Sequence, residues 1–104
     1  MIDLSWIKKA VIEKRYQLSG HAEIERANDE ISIRELLESI NCGIILEQYQ
    51  DTGRGESCLI AGFTTNGKPV HSVLGERDNK AVIITVYIPK PPHFKNIYER
   101  GEDE

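Results

Sequence analysis

A chain of 104 residues and 11.8 kDa is long enough for one modest core and too short for two, and with only two cysteines, neither in a C-x-x-C pair, both read as reduced thiols. No stretch approaches the roughly 18 consecutive apolar residues of a membrane span, and Met1-Ile2-Asp3-Leu4 offers no basic or apolar leader region, so a cytoplasmic chain without a membrane partner is expected. The net charge of −4 speaks against a nucleic-acid binder, and no DNA partner is expected, but residues 99–104 hold four acids and one arginine, which leaves residues 1–98 close to neutral and able to present a local basic patch.

Ser5 reads as the cap of a first helix in which Trp6, Ile7, Ala10 and Val11 recur at helical spacing as far as Lys14. Tyr16-Gln17-Leu18 reads as a short extended connection. Ser19-Gly20 then opens a second helix through Asn28, with His21 in its first turn and Glu23, Glu25, Asp29 and Glu30 as a solvated face. Ser32 and Glu35 form a capping box before Ile33, Leu36, Leu37 and Ile40. This third helix should stop at Asn41-Cys42-Gly43, with Gly43 in the left-handed conformation.

After Gly43 the hydrophobic period changes from helical to alternating, which predicts strands over residues 44–49, 57–65, 68–75 and 81–88 and a flexible loop over 51–55. Pro89, Pro91 and Pro92 cannot continue a ladder and mark an extended exit. The expected fold is therefore α+β, with three N-terminal helices packed on a four-stranded antiparallel sheet, as one domain over residues 1–98 followed by a disordered acidic tail over 99–104.

Two hairpin registers decide which side chains share a face. Asn66-Gly67 as a two-residue type I′ loop pairs Phe63 with Val70, Gly62 with His71 and Leu59 with Leu74, which buries Leu59, Ala61, Phe63, Val70 and Leu74 and leaves His71 on a mixed, shallow face beside Gly62. A three-residue loop of Arg77, Asp78 and Asn79 pairs His71 with Thr85 and brings Thr85 and Tyr87 to that face; a two-residue loop would instead bury both. An imidazole that titrates near neutral pH beside a phenol that can polarise an oxyanion makes a candidate proton-transfer site, set against the plain alternative of half-buried sheet residues. His21 is the second candidate base, because the helix macrodipole favours its neutral form, and Arg26 lies within reach of an anion bound at that helix start. The three histidines and two cysteines show no metal-ligand spacing, and Gly53-Arg54-Gly55 lacks the lysine and length of a phosphate-binding loop, so neither metal nor cofactor is expected.

Tyr16-x-Leu18-x-x-His21-Ala22, Ile31-Ser32, Gly43, Leu59-x-x-Gly62, Val70-His71-x-Val73 and Thr85-Val86-Tyr87-x-Pro89, in this order over residues 16–92, resemble the domain of unknown function 4258 family. That family is similar to the RelE-type toxins, whose open sheet face cuts RNA without a metal, and its members often accompany a small antitoxin-like zinc-ribbon protein. The resemblance implies a toxin-like, metal-independent endoribonuclease of a toxin-antitoxin system, acting on RNA alone or on the ribosome. In it His21, His71 and Tyr87 would move protons, while Arg26 and Lys68, with Thr85 beside them, would contact the phosphate. Glu25 and Asp29 stand where family members commonly carry arginines, with Arg26 shifted by one. That departure, with the acidic balance, motivates the competing expectation of a non-catalytic protein-interaction module of the same fold. No oligomeric state follows from these residues.

Overall fold

The computed structural model describes residues 1–50 and 55–101. All of the loop expected at 51–55 except Gly55 lies outside the described residues, as does the end of the tail, 102–104. Helix α1 (Leu4–Ile12) buries Ile7, Ala10 and Val11. Its cap is Asp3 rather than Ser5: the Asp3 carboxylate accepts both the backbone N–H and the hydroxyl of Ser5, as only a residue outside the helix can. Helix α2 (Gly20–Asn28) is capped by Ser19, whose hydroxyl accepts from the Ala22 N–H, and helix α3 (Ile33–Asn41) carries both bonds of the Ser32–Glu35 capping box. Gly43 follows α3 without a left-handed φ. Its need for glycine is proximity, since a Cβ there would sit 2.6 Å from the Ser39 carbonyl oxygen.

The strands are β1 (Tyr16–Leu18), β2 (Ile44–Tyr49), β3 (Ser57–Phe63), β4 (Pro69–Arg77) and β5 (Lys80–Tyr87), followed by a small hairpin of β6 (Phe94–Asn96) and β7 (Glu99–Arg100). The main sheet has five strands in the order β1-β5-β4-β3-β2 and is mixed, which corrects the expected four-stranded antiparallel sheet. The difference lies at β5. Its second edge is taken by Tyr16-Gln17-Leu18, running parallel, with the Ala81 N–H on the Arg15 carbonyl and the Ser19 N–H on the Ile83 carbonyl, each at 2.9 Å. Three residues are too few to show a period, so this strand reads as a connection until its distant partner is known.

Both hairpin loops also differ from expectation. Thr64 donates its N–H to the Lys68 carbonyl and accepts the Gly67 N–H, so the first loop is Thr65-Asn66-Gly67, with Gly67 at φ +87° and Asn66 outside the left-handed region. The Thr64 hydroxyl accepts the Lys68 N–H and stabilises this longer loop. The register moves by one residue: Phe63 pairs with Pro69, Gly62 with Val70 and Ala61 with His71. Phe63 is thereby 40% exposed instead of buried, and Gly62 faces α3, where an added Cβ would overlap the Ser39 carbonyl. In the second hairpin Asp78 and Asn79 both take positive φ, giving the two-residue loop Asp78-Asn79 and the pair Arg77 with Lys80. A bulge between Val73 and Leu74 then shifts the register again, setting Thr85 opposite Val73 and Tyr87 opposite His71, so neither is turned into the helix-side core.

One face of the sheet packs Cys58, Ile60, Val70, Leu74, Ala81, Ile83 and Val86 against the helices. The other is crossed by residues 89–101. The prolines end the ladder as expected, but the exit folds back as a strap that buries Phe94 and Ile97 over the sheet and sets Tyr98 edge-on to Phe63, with ring centroids 6.4 Å apart. Glu99 and Arg100, counted with the acidic tail from sequence, are β7 of this strap. Cys42 and Cys58 are both free thiols.

Candidate functional site

His71 is completely enclosed, at 0% exposure, and does not line a shallow open face. The corrected register turns it toward the strap, where the Phe94 ring stands edge-on at 4.4 Å between centroids. Its Nε2 lies 2.6 Å from the Ile97 carbonyl oxygen. A carbonyl oxygen only accepts, so the bonding pattern assigns the imidazole hydrogen to Nε2 and leaves Nδ1 as an acceptor. The Tyr87 hydroxyl, 3.3 Å away, is then the donor to Nδ1. Burial pulls the imidazole below its ordinary pKa, against the opposing pull of the Ile97 carbonyl and Glu47, and the ring is neutral at neutral pH. Burial also pushes the Tyr87 phenol above its usual range, so it stays protonated.

An ion pair fastens the strap. Arg100 donates from Nε and Nη2 to the two carboxylate oxygens of Glu47, both at 2.7 Å, and its guanidinium carbon stands 4.9 Å from the centre of the Phe94 ring. The Arg100 bond holds the Glu47 carboxyl below the ordinary range. The Tyr49 hydroxyl donates to the same carboxylate at 2.6 Å, and its pKa is pushed up to about 12, first by burial and then by Glu47. Between the strap and the end of β5 lies a cleft of about 340 Å³ lined by Tyr87, Lys90, His93 and Arg100, with Pro89 and Phe94 as apolar walls.

The remaining residues singled out from sequence lie elsewhere. His21 is exposed on α2, with Nε2 3.2 Å from Glu25, and no contact among the described residues joins it to His71. Arg26 donates to Glu23 at 2.6 Å and to the Ile31 carbonyl at 3.1 Å. Lys68 donates to the Glu30 carbonyl at 2.9 Å and pairs with Glu35 at 3.0 Å. Thr85 is half-buried on β5, two residues before Tyr87. Of the six, the structure therefore brings His71 and Tyr87 into contact, with Thr85 on the same face.

The acidic residues of α2 are more than a solvated face. Glu25 accepts the Val86 N–H at 3.0 Å and Asp29 the Ile88 N–H at 2.9 Å, so the two carboxylates, one helical turn apart, bond to the edge of β5 beyond the end of β1. Among the described residues no helix is long and apolar enough to cross a membrane, and no three His, Cys, Asp or Glu side chains are grouped to hold a metal ion.

Fold and site together define an α+β domain whose mixed sheet has helices on one face and, on the other, a histidine and tyrosine under a strap fastened by an ion pair. The chain matches the family described as Domain of unknown function (DUF4258) over residues 18–88, and it belongs to that family. No curated protein and no solved structure matches it. Residues 89–101 lie beyond the matched span. Sequence reasoning missed Glu47, Lys90, His93, Phe94 and Arg100, because the residues after Pro89 read as an extended exit with no partner on the sheet, Arg100 as part of the acidic tail, and Glu47 as an ordinary strand residue. The available signal was the apolar set Phe94, Ile97 and Tyr98, which an extended exit would leave with no surface to cover.

Proposed function

We propose that the protein is a small toxin-like ribonuclease, of the RelE type in its chemistry, that cleaves RNA by proton transfer without a metal and is restrained by a small antitoxin-like protein. The observation that carries this reading is the chain of hydrogen bonds from the Ile97 carbonyl through His71 to Tyr87, which ends at a cleft edged by cationic side chains. Because the phenol gives its hydrogen to His71, its oxygen is left as an acceptor, ready to take a proton from a ribose 2′-hydroxyl bound in the cleft that Tyr87 lines. The 2′-oxygen attacks the adjacent phosphorus as its proton passes to Tyr87 and the Tyr87 proton passes to Nδ1 of His71. The bond from phosphorus to the 5′-oxygen breaks, and His93 on the same cleft protonates that oxygen. The products are a 2′,3′-cyclic phosphate and a 5′-hydroxyl. His71, now protonated, donates to Ile97 on one side and to Tyr87 on the other.

Purified chain, free of any partner, should cleave single-stranded RNA or ribosome-bound message, and cleavage should persist in EDTA. Tyr87→Phe removes one hydroxyl from a half-buried side chain and should lower the rate by ~10²-fold or more with the fold intact. Failure of folded wild-type protein to cleave either RNA would refute the proposal. A second reading, a non-catalytic interaction module, is favoured by the complete burial of His71 and by the internal pairing of Arg26 and Lys68. It predicts no cleavage and a partner affinity unchanged by Tyr87→Phe.

A further inference from the structure

We propose that the strap is a seat for the phosphodiester of a ribonucleotide chain, formed by Lys90 and Arg100 beside Tyr87. This site rests on the ribonuclease reading and moves the phosphate contacts away from Arg26 and Lys68. In a chain of net charge −4, residues 89–101 carry Lys90, Lys95 and Arg100 against the single carboxylate of Glu99. Among the described residues no acidic side chain lines the cleft. Its volume of about 340 Å³ is at the small end of ligand sites, enough for a phosphate with its sugar.

Arg100 is already oriented for this purpose. Glu47 engages Nε and Nη2 and fixes the guanidinium against the Phe94 ring, so a ligand in the cleft would meet a side chain whose geometry is set before binding. Lys90 is exposed and forms no ion pair with a described residue, so an incoming phosphate need displace no carboxylate from it. At Arg26 and Lys68 the phosphate would have to compete with Glu23 and Glu35, as it does with Glu47 at Arg100, so Lys90 is the cation of the seat that no described carboxylate holds. Tyr87 adds selectivity. Its hydrogen is committed to His71, so its oxygen favours a hydroxyl donor beside the phosphate, which ribose has and deoxyribose lacks.

The test is binding of a short labelled single-stranded oligoribonucleotide, and of the deoxy oligomer of the same sequence, to the full chain over a salt series. Lys90→Ala is exposed and spares the fold; it should weaken RNA binding by ~10-fold at low salt and flatten the salt slope by ~0.7, the share of one single-strand phosphate contact. Lys68→Ala should leave affinity unchanged, and the deoxy oligomer should bind more weakly. Absence of RNA binding, equal affinity in Lys90→Ala and Arg100→Gln, or a loss carried by Lys68→Ala would each overturn the seat. The two proposals fail separately. Cleavage that is indifferent to Lys90→Ala keeps the ribonuclease and removes the seat, whereas Lys90-dependent binding without cleavage keeps the seat and removes the ribonuclease.

Discussion

The helix-covered face of the sheet is closed by aliphatic side chains, and the strap-covered face by aromatic and charged ones. On the first, Ile60, Val70, Leu74, Ile83 and Val86 meet Ile7, Val11, Leu36 and Ile40, and the one buried hydroxyl without a hydrogen-bond partner among the described residues is Ser72. On the second, thirteen residues of strap enclose an imidazole through Phe94, Ile97 and one ion pair. Three packed helices remove a wide apolar area from water. A strap held at a few points does so over a narrow one and can open locally at less cost than unfolding the domain. His71 and Tyr87 lie on the strap side.

The largest expected effect tests whether the faces are assigned correctly. Leu74 is fully enclosed on the helix side, so Leu74→Ala should cost ~2–5 kcal/mol in denaturant unfolding. Phe63, 40% exposed with only an edge contact to Tyr98, should cost ~1 kcal/mol or less when replaced by alanine. Equal losses at the two positions would restore the Asn66-Gly67 two-residue register and break the comparison.

The next effect is a pH dependence of stability. His71 is neutral in the folded chain because burial lowers its pKa, whereas in the unfolded chain it titrates near 6.5. Between that value and the lower folded one, the unfolded state binds a proton that the folded state does not. Stability is therefore retained above 6.5 and lost as pH falls below it. Thermal unfolding followed from about pH 7 to pH 5 should show a decline for the wild type that is shallower in His71→Gln. Parallel profiles would mean that His71 meets water in the folded chain and that the strap face is open.

The helix-side elements were legible in sequence because each has a local cause. Ser19 caps α2, the Ser32–Glu35 box starts α3, and the alternation after Gly43 marks the strands. The sheet edge and both hairpin registers were not. Tyr16-Gln17-Leu18 becomes a strand only through a partner more than sixty residues away, and the two loops exchanged lengths. The Thr64 hydroxyl favours the longer first loop, and two left-handed residues at Asp78-Asn79, with a bulge further along, fit the shorter second one. His71 and Tyr87 come together in the structure although the pairing expected for His71 was Thr85. The shorter loop and the bulge each shift the register by one residue, two in all, which returns Tyr87 to the face of His71, so the grouping survived while the burial was missed. The strap was illegible because its fastening, Arg100 to Glu47, joins two ordinary surface residues 53 positions apart.

The smallest global effect belongs to that fastening, and it separates the two faces most sharply. The Arg100 side chain is 49% exposed and that of Glu47 26%, so the pair is screened by solvent and Arg100→Gln should lower global stability by only ~0–1 kcal/mol. Within the strap the same loss falls on few other contacts. Amide exchange at Phe94 and Gly101, whose N–H groups bond to the Lys90 and His93 carbonyls, should therefore quicken up to ~5-fold, the factor for 1 kcal/mol, while exchange at Val86 on the helix side stays unchanged. Glu47→Gln, which keeps the shape and removes the charge, should act in the same direction and more weakly. If Arg100→Gln instead quickens exchange equally at Gly101 and Val86, strap and helices unfold as one unit, and the face that encloses His71 cannot open on its own.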